Sequence, residues 1–221
     1  EDHKIIGIQF LFSGLIFMLL GGALAMAVRW RLSPTLAEKP VPFLGERLFE
    51  DTGGLMPPEF FVMATTMHAS VMIFLVVIPL LTGAFGNFLI PLMIGARDMA
   101  FPKLNMFSYW MMPPAFALFL ASFFVEGGAA AFGWTSYPPG TVIPSAAPGS
   151  LHGQTLWLLG LLCVGISSLA GSVNYVTTIV MLRAPGMSFF RLPLSVWALF
   201  ITAILQAFAL PVLTAALIMQ L

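Results

Sequence analysis

"ATTMHASVMIF", residues Ala64 to Phe74, decides the fold. One imidazole, His68, stands among methyl groups, thioethers and rings, and the apolar run continues well past Ile78. A run of that length is the signature of a helix crossing a hydrocarbon core about 30 Å thick. An ionisable ring inside such a helix is expensive and marks a functional position by default. His68 lies about eight residues below the outer end of the predicted helix, hence ~12 Å deep at 1.5 Å per residue. Its helical neighbours Ala64, Val71 and Met72 offer no proton partner. Two readings follow. The ring is hydrogen-bonded to another helix, or it is a neutral imidazole acting as a metal or haem ligand, held fixed with water excluded. Small Ala69 and Ser70 leave room for a flat cofactor.

The rest of the chain agrees with a bilayer. Hydrophobic residues make up 59% and charged residues 8%, with a mean hydropathy of +0.98; soluble chains carry about a quarter charged residues. Nine basic residues balance nine acidic ones, so no basic surface points to nucleic acid and no acidic tail to a solvating arm. Cys163 is the single cysteine, so an internal disulfide is excluded, and its apolar setting reads as packing rather than redox chemistry. The first apolar run is too long for a cleavable signal and ends in "RWR".

Runs of roughly 20 apolar residues, the length that spans a membrane, occur at about Ile5–Val28, Phe60–Ile94, Leu104–Ala131, Leu151–Leu182 and Leu194–Gln220. The expected fold is therefore all-α, a polytopic membrane helix bundle with five transmembrane helices, because lipid leaves the backbone no other partner than itself. Pro79, Pro113, Pro114 and Pro211 fall inside these spans, where neighbouring helices satisfy the freed carbonyls. No internal repeat or separate soluble domain is visible, so residues 1–221 are expected to form one transmembrane domain with a long loop at 29–59.

Loop charge orients it. Arg97 and Lys103, then Arg183 and Arg191, flank a loop at 133–150 that has no Lys or Arg. The basic turns go inside and that loop outside, which places the N-terminus inside and 29–59 outside. Arg29, Arg31, Lys39 and Arg47 in that outer loop run against the rule, although its acidic residues are more numerous. The chain stops within an apolar run, as expected of a piece of a larger protein.

A second polar signal lies in the fourth span. Ser167, Gly171, Asn174 and Thr178 fall at i, i+4, i+7 and i+11, one stripe on a helix, widened by Ser168 and Ser172. Small hydroxylated residues let helices pack closely, and the serines fit that. Asn174 is costlier to bury. With Asn87, Asp98, Asn105 and Ser108, the stripe could instead line a hydrated path starting at a carboxylate. Asp98 alone reads equally as a loop cap.

The segment "MHASVMIFLVVIPLLTGAFGNFLIPLMIGARDMAFPKLNMFSYW" closely resembles subunit I of the haem-copper terminal oxidases, the cytochrome c and quinol oxidases. So do "DHKIIG", "GWTSYPP", "VNYVTTIVML" and "LPVLTAALIM". Only the loop 30–58 falls outside the resemblance. It implies that His68 is an axial ligand of the low-spin haem, that Arg29 hydrogen-bonds a substituent of that haem, and that Trp134 donates to a propionate of the high-spin haem. It makes Asp98 the entrance of a D-type proton pathway lined by Asn87, Asn105, Ser108, Ser167, Ser168 and Asn174. Three positions depart from the family pattern. Phe10 stands where members often have tyrosine, Met106 where a second asparagine often follows, and Arg31 where many have a glutamate of a calcium or sodium site.

The resemblance implies a portion of a respiratory oxidase, an energy-transducing membrane protein that reduces dioxygen to water with electrons from cytochrome c and pumps protons. Its cofactors would be a low-spin haem, expected as haem a with b and o open, a high-spin haem and copper. Its partners would be oxidase subunits II and III, cytochrome c or quinol, and the lipid bilayer. Five of the family's twelve usual helices are present. The second axial histidine, the copper ligands, the high-spin haem ligand and the glutamate ending the D-type path are expected beyond Leu221, so no catalytic residue is assigned here. Two alternatives stand: a quinol oxidase of the same family, and a cofactor-free transporter or assembly subunit.

Overall fold

Five helices are long and apolar enough to cross a membrane: α1 (His3–Leu32), α2 (Pro58–Ile94), α3 (Pro102–Phe124), α4 (His152–Met181) and α5 (Leu194–Gln220). The structure, a computed structural model, describes residues 2–143 and 152–221. No strand occurs among the described residues, and the fold is all-helical. Residues 144–150 of the Pro-, Gly- and Ser-rich loop, and Leu151 at the expected start of the fourth span, lie outside them.

Each helix begins and ends for a local reason. α2 opens on Pro58, where a missing N–H costs nothing, and closes at Gly95 in the left-handed region, φ 77°. α1 runs four residues past Val28 and carries Arg29 and Arg31 in its last turn, where cations suit the carbonyl end of the dipole. α3 is shorter than its apolar run suggests. It ends in a tight turn at Ser122–Phe124, and not at Ala131, because Gly127 and Gly128 take φ 86° and 79°, conformations no helix continues through. The loop 29–59 contains helical turns at Gly45–Leu48 and Glu50–Thr52.

α2 is not uniformly α-helical. Val71–Val77 and Pro79–Gly86 are π-helical. Pro79 has no N–H to close the preceding turn. Three side chains then occupy carbonyls in this stretch: Thr82 Oγ1 donates to Ile78 (2.7 Å), Asn87 Nδ2 to Gly83 (2.7 Å), and the Tyr175 hydroxyl to Thr82. Widened turns of this kind recur at functional sites.

The chain divides into two compact units. The first takes residues up to 16, 74–118 and 158–221. Its core packs Ile90, Ile94, Met99, Tyr175, Ile179, Leu192 and Val196. In the turn after α4, Arg183 donates to the Ile179 and Met187 carbonyls and lies 3.9 Å over the Phe189 ring. The second unit takes residues 17–73 and the described part of 119–157. There Trp157, fully buried, donates to Ser70 Oγ (2.9 Å), and the 125–133 segment is tied to α2 by Ala129 N–H to Met63 Sδ and Gly133 N–H to Thr66 Oγ1, both 3.0 Å.

Candidate functional site

His68 sits in the third turn of α2, in the second unit. Its Nδ1 lies 2.8 Å from the Gly21 carbonyl of α1. A carbonyl only accepts, so Nδ1 carries the proton and, in the neutral ring, Nε2 keeps its lone pair. Nε2 has no hydrogen-bond partner among the described residues. Gly21 eases the contact: a Cβ there would stand 2.6 Å from Met72 Sδ and 3.3 Å from a Val71 methyl, so a larger residue would have to push the Met72 side chain aside.

The ring is half-buried and lines a pocket of about 620 Å³ together with Ala25, Met26, Arg29, Trp30 and Leu36. His68 and Arg29, expected from the sequence at one group, thus share one pocket. The lining is mostly apolar with one cation. A ring fixed at Nδ1, a free basic nitrogen and a wide apolar pocket are what an axial haem ligand requires, so these residues fit the group. Trp134 does not line this pocket; it is exposed in the turn after Gly133.

The first unit holds the second feature, a cavity with about 30 Å³ of space for water centres, room for about two water molecules. Asn87, Ser108, Ser167 and Ser168 line it, as do Phe10, Thr82, Ser172, Tyr175 and Gln206. Four of the seven expected path residues thus converge on one space. The other three do not line it. Asn174 clamps the Phe101 backbone, accepting its N–H (2.9 Å) and donating to its carbonyl (3.2 Å), while Thr178 Oγ1 accepts from Ala100 N–H (2.9 Å). Asp98 accepts from Met99 N–H (2.7 Å) and so caps its own turn. Asn105 is fully buried, and neither amide atom has a partner.

Asn87 is only partly satisfied. Its Nδ2 is used on Gly83 and its backbone carbonyl accepts from His3 Nδ1 (2.9 Å), yet Oδ1 is buried without a partner. Buried polar atoms left unsatisfied cost about 1–3 kcal/mol each, and native proteins answer that with ordered water. The orphaned atoms of Asn87 and Asn105 therefore mark this unit as a place that takes up water. Sequence spacing finds the lining from α4 but misses Tyr175, which falls off the stripe one residue past Asn174, and Thr82 and Gln206, which stand alone among apolar neighbours.

Against that geometry, the family model of cytochrome c and quinol oxidase polypeptide I matches residues 5–221. The chain belongs to this family. Cytochrome c oxidase subunit 1 of Thermostichus vulcanus is 44% identical over 220 residues, covering 100% of this chain and 36% of that protein. Cytochrome c oxidase subunit 1 of Synechocystis sp. is 41% identical over 218 residues, covering 99% of this chain and 35% of that protein. The chain spans about a third of the length of these oxidase relatives. Members of this oxidase family are integral membrane proteins, and the five apolar helices accord with that.

Proposed function

We propose that the chain is part of the catalytic subunit of a respiratory terminal oxidase, which reduces dioxygen to water with electrons from cytochrome c and couples this to proton pumping. The observation that carries the reading is His68, anchored through Nδ1 on Gly21 with Nε2 free, beside Arg29 on a wide apolar pocket, in a chain of this family. Haem and copper, when bound, supply the electron transfer and the oxygen chemistry.

This chain's own residues have narrower tasks. His68 would ligate the low-spin haem iron through Nε2, its Nδ1–H bond to Gly21 fixing tautomer and orientation. Arg29 would donate to a substituent of that haem, and Trp134 to a propionate of the high-spin haem. The copper and high-spin haem ligands belong, on this reading, to the two thirds of the oxidase length that this chain does not span.

Protons would enter at Asp98 from the inner face, with the N-terminus inside and the loop 29–59 outside. Asn87, Ser108, Ser167 and Ser168 would hold the water that relays them, Asn105 would add its unpartnered amide, and Asn174 would keep the Asp98 turn against α4. Subunits II and III are the proposed partners. The named relatives are cytochrome c oxidases, which favours that donor over quinol, and makes a cofactor-free transporter or assembly protein the weaker reading.

Absorption spectroscopy of membranes carrying the intact protein tests the assignment. His68→Ala is expected to abolish the low-spin haem band while the polypeptide still inserts. A surviving low-spin band in that variant removes His68 as the ligand.

A further inference from the structure

The cavity of the first unit has a wall on α5. Gln206 lines it, and the single hydroxyl proton of Ser172 is shared between the Ser168 carbonyl (2.8 Å) and Gln206 Oε1 (3.1 Å). Gln206 is the single amide of α5 before its last residue, in a helix otherwise built of apolar and small residues. An amide inside a membrane helix is costly unless polar partners or water receive it. From α1 the cavity receives only the Phe10 ring, which has no polar atom; Gln9, next to it, keeps a buried Oε1 without a partner and does not line the space. The polar contact that α1 lacks is thus available from α5. Asn87 presents the complementary need, a buried Oδ1 with no donor.

The geometry points to a water-binding site held between Asn87 and Gln206, with Ser172 fixing the Gln206 amide, and to a proton route that passes through that water on its α5 side. This rests on the proton route proposed above and adds a positioning residue to it. Ser172, through the proton it shares with the Ser168 carbonyl, steadies the amide oxygen, which leaves the amide N–H groups of Gln206 to donate to water, while Asn87 Oδ1 accepts from it. Protons move along such a chain by exchange, one arriving as one leaves, with both amides unchanged.

The test uses the intact purified oxidase. Gln206→Leu is expected to keep both haem spectra, to slow turnover about fivefold, the effect of one lost hydrogen-bond partner on a barrier, and to raise the solvent deuterium isotope effect. Ser172→Ala, which removes only the anchor, is expected to move both quantities in the same direction by less, and decides the matter if Gln206→Leu fails to assemble. Wild-type turnover and isotope effect in these variants, with Asp98→Asn slow, overturn the site while the route stands. Wild-type behaviour in Asp98→Asn overturns the route itself, and the site with it.

Discussion

At His68 the two readings of the sequence are compatible: the first is seen at one nitrogen, and the second, the proposed ligand role, needs the other. Nδ1 is hydrogen-bonded to another helix, as an ordinary buried histidine would be, and that bond leaves Nε2 basic and aimed away from the Gly21 carbonyl. The placement of the ring within a membrane helix was legible because an imidazole is conspicuous among apolar residues. Its anchor was not, because the acceptor is a backbone carbonyl and every residue has one. Asp98 is the residue on which the proposed proton route turns. It caps Met99 N–H, a bond that the amide oxygen of an asparagine would accept equally well, so Asp98→Asn removes the acid without removing the cap. The expected outcome is slowed turnover or lost pumping with both haems bound, read by oxygen consumption and proton release in vesicles.

Among the elements, α2 departs furthest from what its sequence announces. Periodicity and length find the span, and its end at Ile94 agrees with the apolar run. The π-helical turns escape such reading because they arise from Pro79 together with Tyr175, which is remote from it along the chain. The third span ends earlier than its hydropathy implies, since "AAAFG" is apolar but follows Gly127–Gly128, whose backbone breaks the helix. The α4 stripe was the most legible polar feature: helical spacing aligned Ser167 with the Ser108 carbonyl (2.6 Å) and Asn174 with Phe101. Tyr175→Phe tests the origin of the widened turns in α2. It leaves the Thr82 carbonyl unpartnered beside Gly86, where a Cβ would meet the tyrosine ring within 2.9 Å. A destabilisation of about 1–3 kcal/mol, the penalty for an unsatisfied buried acceptor, is expected as faster thermal inactivation of the detergent-solubilised oxidase.

At the scale of the molecule, composition alone settles the solvent, and the five spans follow from it. What composition does not reveal is how the polar residues divide. His68 and Arg29 gather at a pocket in one compact unit, and the hydroxyls and amides of α2, α3, α4 and α5 gather at a cavity in the other. Electron-carrying and proton-carrying tasks would thus draw on different side chains of the same set of helices. α5 leaves Leu205, Phe208, Val212 and Met219 exposed, apolar surface suited to lipid or to further helices of the oxidase. The most direct measurement is a density map of the intact oxidase around residue 68. His68 Nε2 is predicted to be bonded to a haem iron with Nδ1 still on the Gly21 carbonyl; a ring that meets only protein atoms or lipid would contradict the ligand assignment.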